Sequence, residues 1–331
     1  MSPAALGVRF ADPALEDSVR VGLDAVESAL VASVRSDDEF VAGVARYLAD
    51  AGGKRFRPLL CVLAAQFGDP SRPEIVPAAV VVELTHLATL YHDDVMDEAS
   101  VRRGAISANV RWDNTVAILT GDFLFSRASV LLADLGTHAV RLQARTFGRL
   151  VTGQIRETVG PRPGVDAIDH YLSVLEDKTG SLIATSAEFG AHFAGVPAAA
   201  TDTLRRFGEQ IGIAFQLSDD ILDIASDADE SGKTPGTDLR EGIATLPVLY
   251  ALRGTDSATE RLRSLVARPL VDDVEHAEAL LLLRRSDAMF QARSTLTGYA
   301  DRARAVLAEL PDVPARAALE VLCDLVIDRT G

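Results

Sequence analysis

An all-α fold, built as a single large helical bundle, is what this sequence predicts. Apolar residues recur at helical rather than alternating spacing, as at 21, 23, 26, 30, 31 and 34. The apolar mass is Ala, Val and Leu, with aromatics at only 5% and one Trp. That composition suits close helix packing better than a sheet. No convincing strand alternation or short internal repeat interrupts the pattern. At 331 residues and 48% hydrophobic content, the chain can bury a large core. The length would also accommodate two domains, but no composition break marks a boundary. The expected organisation is a mobile arm over 1–20 followed by one domain over 21–331.

Charge and cysteine usage narrow the function classes. A net charge of −15 argues against nucleic acid as the main partner, because such binding is driven by Lys and Arg. Anionic small substrates stay open, since local basic clusters exist. Cys61 and Cys323 both lie in apolar surroundings, which makes neither a disulfide framework nor a metal knuckle and fits a reducing cytosol. The first 20 residues carry acids and no apolar core, unlike a secretory signal. No uninterrupted apolar run reaches about 18 residues, so no membrane span is expected and the chain reads as cytoplasmic.

In chain order, the first helix is expected over 21–34. Asp37, Asp38 and Glu39 then read as the acidic first turn of a helix over 40–49, complementing its dipole. Gly52-Gly53-Lys54-Arg55-Phe56-Arg57-Pro58 ends that helix with glycines and opens another, over 59–67, with a proline. The three cations between them are either a solvated basic cap or an anion site. A long apolar helix follows over 74–90 and carries His86, two turns before Asp93 and on the same face. Arg102-Arg103-Gly104 comes next, able to neutralise nearby acids or to bind phosphate oxygens. Helical pattern resumes over 112–135, where Gly121 implies a close helix approach and Asp122 a structural role. It continues over 146–159, 167–193 and 203–222. The 167–193 stretch contains Lys178-Thr179-Gly180 amid apolar residues. A polar stretch over 225–243 has the length of a binding loop. Further helices over 244–328 break near Gly254, Pro269 and Pro311.

The chemistry concentrates in two acidic clusters. His92-Asp93-Asp94-Val95-Met96-Asp97 puts three carboxylates within five residues at the end of an apolar run. On a helix, Asp93 and Asp97 share a face about 6 Å apart along the axis, where like charges repel. A cation is the natural partner. About 125 residues later, Asp219-Asp220-Ile221-Leu222-Asp223 repeats the pattern after a second apolar run, and together they suggest a shared divalent metal site. Magnesium keeps waters and takes one or two carboxylates plus substrate phosphates, which matches short acidic clusters near basic residues. Calcium loops and zinc spacings are absent from the sequence. Asp272-Asp273 lacks a third carboxylate and reads as a helix N-terminus.

These landmarks resemble the trans-isoprenyl diphosphate (polyprenyl) synthases, especially those making quinone side chains, over nearly the whole length. They run in family order: Gly52 to Pro58, Asp93-Asp94-x-x-Asp97 with Arg102-Arg103-Gly104, Gly121-Asp122, Lys178-Thr179, Phe215-Gln216-x-x-Asp219-Asp220-x-x-Asp223, and Gly232-Lys233-x-x-Gly236-x-Asp238-Leu239. The resemblance implies the isoprenoid synthase fold, a homodimer, and head-to-tail condensation of isopentenyl diphosphate with an allylic diphosphate. It implies magnesium held by Asp93, Asp97, Asp219 and Asp223, with about three ions once substrate is bound. Catalytic roles carry over to Asp93, Asp94, Asp97, Lys178, Asp219 and Asp220. Lys54, Arg57, His86 and Arg103 take the isopentenyl diphosphate. Arg102, Lys178, Thr179, Gln216 and Lys233 take the allylic diphosphate. One departure is Ile243, where many relatives carry Lys, so one contact to the allylic diphosphate is missing.

Ala88 and Thr89, one turn before Asp93, are the expected chain-length positions. Both are small where short-chain relatives carry aromatics, so the cavity stays open and the expected product is about C30 to C50. Tyr91 should point away from Asp93 on helix geometry. Geranylgeranyl or farnesyl diphosphate synthesis is the nearest alternative. A terpene cyclase, a head-to-head synthase and a non-catalytic subunit of a heteromeric synthase fit the motifs less well. Membrane contact is expected to be peripheral at most, for product release.

Overall fold

The computed structural model describes residues 10–225, 235–255 and 259–330. Its elements are α1 (Pro13–Ser33), α2 (Glu39–Asp50), α3 (Phe56–Ala65), α4 (Ile75–Met96), a hairpin of β1 (Val101–Arg102) and β2 (Ala105–Ile106), α5 (Ala108–Arg111), α6 (Asn114–Leu135), α7 (Thr137–Val159), α8 (Ala167–Leu175), a π-helical turn (Glu176–Gly180), α9 (Ser181–Phe193), α10 (Ala198–Ala225), α11 (Thr237–Glu241), α12 (Leu246–Arg253), α13 (Glu260–Val266), α14 (Asp273–Arg284), α15 (Asp287–Leu307) and α16 (Pro314–Asp328). The fold is the all-α one the composition implies.

Capping chemistry sets several starts. Asp38 caps α2 by accepting from Phe40 N and Val41 N, so the acidic trio is indeed a helix start. Asp272 caps α14 in the same way through Val274 N and Glu275 N. Pro58 falls inside the first turn of α3, where a missing N–H costs nothing. Helix α1 begins eight residues before the expected position 21, because Asp12 and Pro13 form a cap and first turn, and Leu15 and Val19 are already buried. Residues 1–9 of the expected arm lie outside the described residues.

The chain divides into two compact units, Met1–Phe147 with Leu182–Gly208 and Glu309–Leu319, and Gly148–Ser181 with Glu209–Ala308 and Glu320–Gly331. Helices α7, α9, α10 and α16 continue from one unit into the other, so no linker composition marks a boundary in the sequence.

In the first unit, α4 is the central element. Thirteen of its residues are buried, from Ile75 to Asp94. Tyr91 is one of them, and its hydroxyl donates to Val44 O and accepts from Leu48 N, tying α2 to α4 on a side away from Asp93. Gly121 of α6 meets α4 so closely that a Cβ there would lie 2.2 Å from the His92 ring and 3.0 Å from Ala88 O. Helices α4 and α6 are both long and apolar enough to cross a membrane by composition, although neither holds an uninterrupted apolar run. For α4 that character is explained by burial, since 67% of its apolar window is inside the protein; for α6 the share is 33%.

Candidate active site

The first acidic cluster ends α4, and its three carboxylates differ in environment. Asp94 is fully buried and accepts from Arg102 Nε at 2.6 Å. Asp93 is half-buried and Asp97 exposed, with Arg102 Nη2 4.0 Å from Asp97 Oδ2. Helix geometry explains the split, because position 94 is rotated about 100° from 93 toward the core. Arg102, expected on the allylic diphosphate, therefore also braces the cluster.

Arg102 and Arg103 belong to a two-residue hairpin, a local strand pair that the sequence reading did not anticipate. Arg103 and Gly104 have φ of 53° and 76°, as a type I′ turn requires at both central positions. Arg103 Nη1 donates to Leu48 O at 2.9 Å and to Gly52 O. Its guanidinium packs on Gly53, where a Cβ would lie 2.8 Å from Cζ, and Gly53 itself sits at φ 141°. The two halves of the glycine-rich basic motif and the arginine motif thus meet within one unit.

The three cations of the 52–58 motif have different fates. Lys54 is exposed. Arg55 is buried and donates to Glu27, Glu83, Ala49 O and Gly52 O, so its role is structural. Arg57 is half-buried, and its Nε is buried without a partner among the described residues. Burial pushes Arg57 down to about 10, opposed by Glu83 and reinforced by Arg103. Burial also lowers Arg103. His86, half-buried on α4, is held well below the ordinary histidine range by burial and then by Arg57, Arg103, Arg55 and Arg102. It is therefore a neutral imidazole at pH 7, with the positive charge of four arginines acting on it. Ala88 is fully buried, and Thr89 is half-buried with its hydroxyl on His86 O at 2.8 Å.

The second unit holds the other cluster on α10. Asp220 is buried and accepts from the Tyr171 hydroxyl and from Gln216 Nε2 at 3.0 Å. Burial raises it to about 6. Asp219 is half-buried and pairs with Arg329, whose guanidinium also lies over the Phe215 ring at 5.0 Å. Asp223 accepts from the backbone N–H groups of Thr237 and Asp238 at 3.2 and 3.3 Å, so it caps the start of α11. Lys178 and Thr179 sit on the π-helical turn, a departure from α-geometry that recurs at functional sites. Lys178 Nζ pairs with Glu157, and Thr179 is buried. Lys233 lies outside the described residues. Ile243, in place of the expected cation, is 47% exposed and supplies no charge.

Several residues here carried no sequence expectation. Asp177 accepts from Arg149 Nε and Arg156 Nη1, and Gly153 packs so tightly that a Cβ would lie 2.7 Å from Lys178 N. These three α7 positions clamp the π-turn. Tyr171 and Arg329 are brought to the acids by tertiary packing alone. Glu83 left one signal: it is the only acidic residue between 75 and 92 in an otherwise apolar helix.

Among the described residues no group of three His, Cys, Asp or Glu side chains is arranged to hold a metal by itself. The donor chemistry nonetheless fits magnesium. Burial of Asp94 against Arg102 leaves Asp93 and Asp97 as the outward oxygens, and one or two carboxylates completed by substrate oxygens is that ion's habit.

Comparison with known proteins agrees with this chemistry. The family model for polyprenyl synthetase matches residues 38–281. The chain is 51% identical over 326 residues to nonaprenyl diphosphate synthase of Mycobacterium tuberculosis, covering 98% of this chain and 97% of that one. It is 47% identical to the crystal structure of geranylgeranyl pyrophosphate synthase from Corynebacterium glutamicum complexed with calcium and isoprenyl diphosphate, with a TM-score of 0.87 over 98% of this chain and 100% of that one. A decaprenyl diphosphate synthase from Rhodobacter capsulatus superposes with a TM-score of 0.87 at 33% identity, covering 96% of this chain and 98% of that one.

Proposed function

The chain belongs to the polyprenyl synthetase family, and from that premise we propose that it extends an allylic diphosphate with isopentenyl diphosphate to an all-trans product of about C30 to C50, in a cavity left open at Ala88 and Thr89. Membership carries the coarser activity: a head-to-tail prenyltransferase of class EC 2.5.1 making a polyprenyl diphosphate. One observation supports the diphosphate chemistry of this reading most. In a single unit, Arg57 and Arg103 supply positive charge around the neutral His86 on the helix that ends in Asp93 and Asp97, and the Arg102–Asp94 pair lies beside them. Diphosphate chemistry needs both an anion cradle and metal-binding oxygens.

The proposed roles follow from where charge moves. Lys54, Arg57, His86 and Arg103 hold the isopentenyl diphosphate. Arg102, Lys178, Thr179, Gln216 and Lys233 hold the allylic diphosphate. The allylic C–O bond breaks, its electron pair leaves with the diphosphate, and the cations aimed at that anion stabilise the developing charge. Magnesium held by Asp93, Asp97, Asp219 and Asp223 would add Lewis-acid stabilisation of the same leaving group, with about three ions per site. The isopentenyl double bond attacks the allylic cation, forming the new C–C bond, and the C2 proton passes to the released diphosphate. No protein nucleophile is needed, and apolar packing around α4 keeps water from the cation.

A second copy of this chain is the proposed partner. The apolar face of α6, with Ile118, Leu119 and Val130 exposed by 43%, 60% and 57%, suits a homodimer. The proposed location is the cytoplasm, with peripheral membrane contact at product release. Similarity to a geranylgeranyl pyrophosphate synthase at 47% identity favours a shorter product as the second reading. Incubation with magnesium, isopentenyl diphosphate and each allylic primer, followed by mass measurement, decides between them; no elongation with any primer refutes the proposal.

A further inference from the structure

We propose that Glu83 is a positioning residue for the isopentenyl diphosphate site, fixing Arg103 and Arg57 from behind; this rests on the assignment of Arg57, His86 and Arg103 to that diphosphate. Glu83 lies on α4 with its side chain 2% exposed. Its Oε1 accepts from Arg55 Nη1 at 2.9 Å and lies 3.9 Å from Arg103 Nη2. Arg55 is itself consumed by Glu27 on one side and by the carbonyls of Ala49 and Gly52 on the other. It is a fixed brace that anchors the Glu83 carboxylate. Arg103 is then held on one edge by the carbonyls of Leu48 and Gly52 and on the other by the field of Glu83. Arg57 has a buried Nε without a partner among the described residues, and Glu83 is the negative charge that opposes its loss of a proton. Buried like charges at Arg57 and Arg103 repel, and each is desolvated. Without a counter-charge they would swing toward water and lose the geometry a diphosphate requires.

The placement has a consequence that a purely electrostatic role would not share. A carboxylate near an anion site repels the anion, so if Glu83 acted only by its charge, neutralising it would tighten diphosphate binding. If it positions the arginines, neutralising it loosens binding, as loss of an outer-shell partner does at metal sites, by about tenfold to a hundredfold.

The test is calorimetric titration of the full chain with isopentenyl diphosphate and with inorganic diphosphate, paired with steady-state kinetics. Glu83→Gln, which keeps shape and loses charge, is expected to weaken isopentenyl diphosphate binding by about tenfold or more and to raise its KM, with the KM for the allylic substrate unchanged. Glu83→Asp, with charge retained but drawn back by one methylene, is expected to fall between Glu83→Gln and wild type. Unchanged or tighter binding by Glu83→Gln overturns the inference. Should Glu83→Gln fail to fold by circular dichroism, wild-type affinity in Glu83→Asp overturns it equally. A wild-type chain that does not bind isopentenyl diphosphate overturns the site assignment itself.

Discussion

Arg102 Nε donates to Asp94 Oδ1 at 2.6 Å, and Asp94 is fully buried between two acids that are not. The three carboxylates of one motif therefore divide into one buried, arginine-paired member and two outward ones.

That division separates two substitutions. Asp93→Ala is expected to cut turnover by orders of magnitude with an unchanged melting temperature. Asp94→Ala is expected to lower both, because Arg102 loses a buried charge-assisted partner, a loss of about 1–3 kcal/mol. Thermal melts beside product assays measure this; equal melting behaviour of the two variants would refute the division.

Product length should respond at α4. Ala88→Phe and Thr89→Phe are both expected to shorten the product. Ala88 is fully buried, so its enlargement also overpacks the core at a cost of about 1–3 kcal/mol. Thr89 is half-buried and should shorten the product with a smaller loss. Mass spectra of the prenyl products decide; unaltered length in both variants removes these residues from the cavity.

The helix crossing at Gly121 should tolerate no side chain. A Cβ there would meet the His92 ring at 2.2 Å and Ala88 O at 3.0 Å. Gly121→Ala is expected to destabilise the fold by about 1–3 kcal/mol, read from urea unfolding, and stability equal to wild type would contradict the close approach.

The π-turn gives a parallel expectation. Gly153→Ala would press on Lys178 N, which lies 2.7 Å from the new carbon. The KM for the allylic substrate is expected to rise while that for isopentenyl diphosphate holds. Equal changes in both would show a general loss of structure instead.

His86 sets a pH dependence. Its pKa in the folded chain lies below the ordinary value, so the unfolded chain binds more protons as pH falls through about 6.5. Stability from the neutral histidine is present above that pH and is lost toward acid, at most about 1.4 kcal/mol per pH unit. Denaturant unfolding at pH 5 and pH 7 should show a shallower slope for His86→Gln than for wild type. Identical slopes would place His86 in water.

Much of this was legible in local sequence. Helical periodicity, the aspartate caps at Asp38 and Asp272, and the close approach at Gly121 each depend on residues near one another in the chain or on a small side chain with few purposes. The acid clusters were visible for the same reason, since their spacing of four is a helix repeat. Glu83 left only the trace of a lone acid in an apolar helix. Tyr171, Asp177 and Arg329 left none, because their partners lie 49, 28 and 110 residues away.

By itself the sequence determined the all-α class, the family and the two acidic motifs, all of which are written in short-range spacing. Tertiary structure decided what each member of a motif does. It buried Asp94 and Asp220 while leaving their neighbours outward, turned Arg55 into a brace, and placed Arg103 on a hairpin turn against Gly53. The physical reason is that a side chain's charge state and freedom depend on what desolvates it and what pairs with it, and those neighbours are brought together by packing between helices that are distant in the chain.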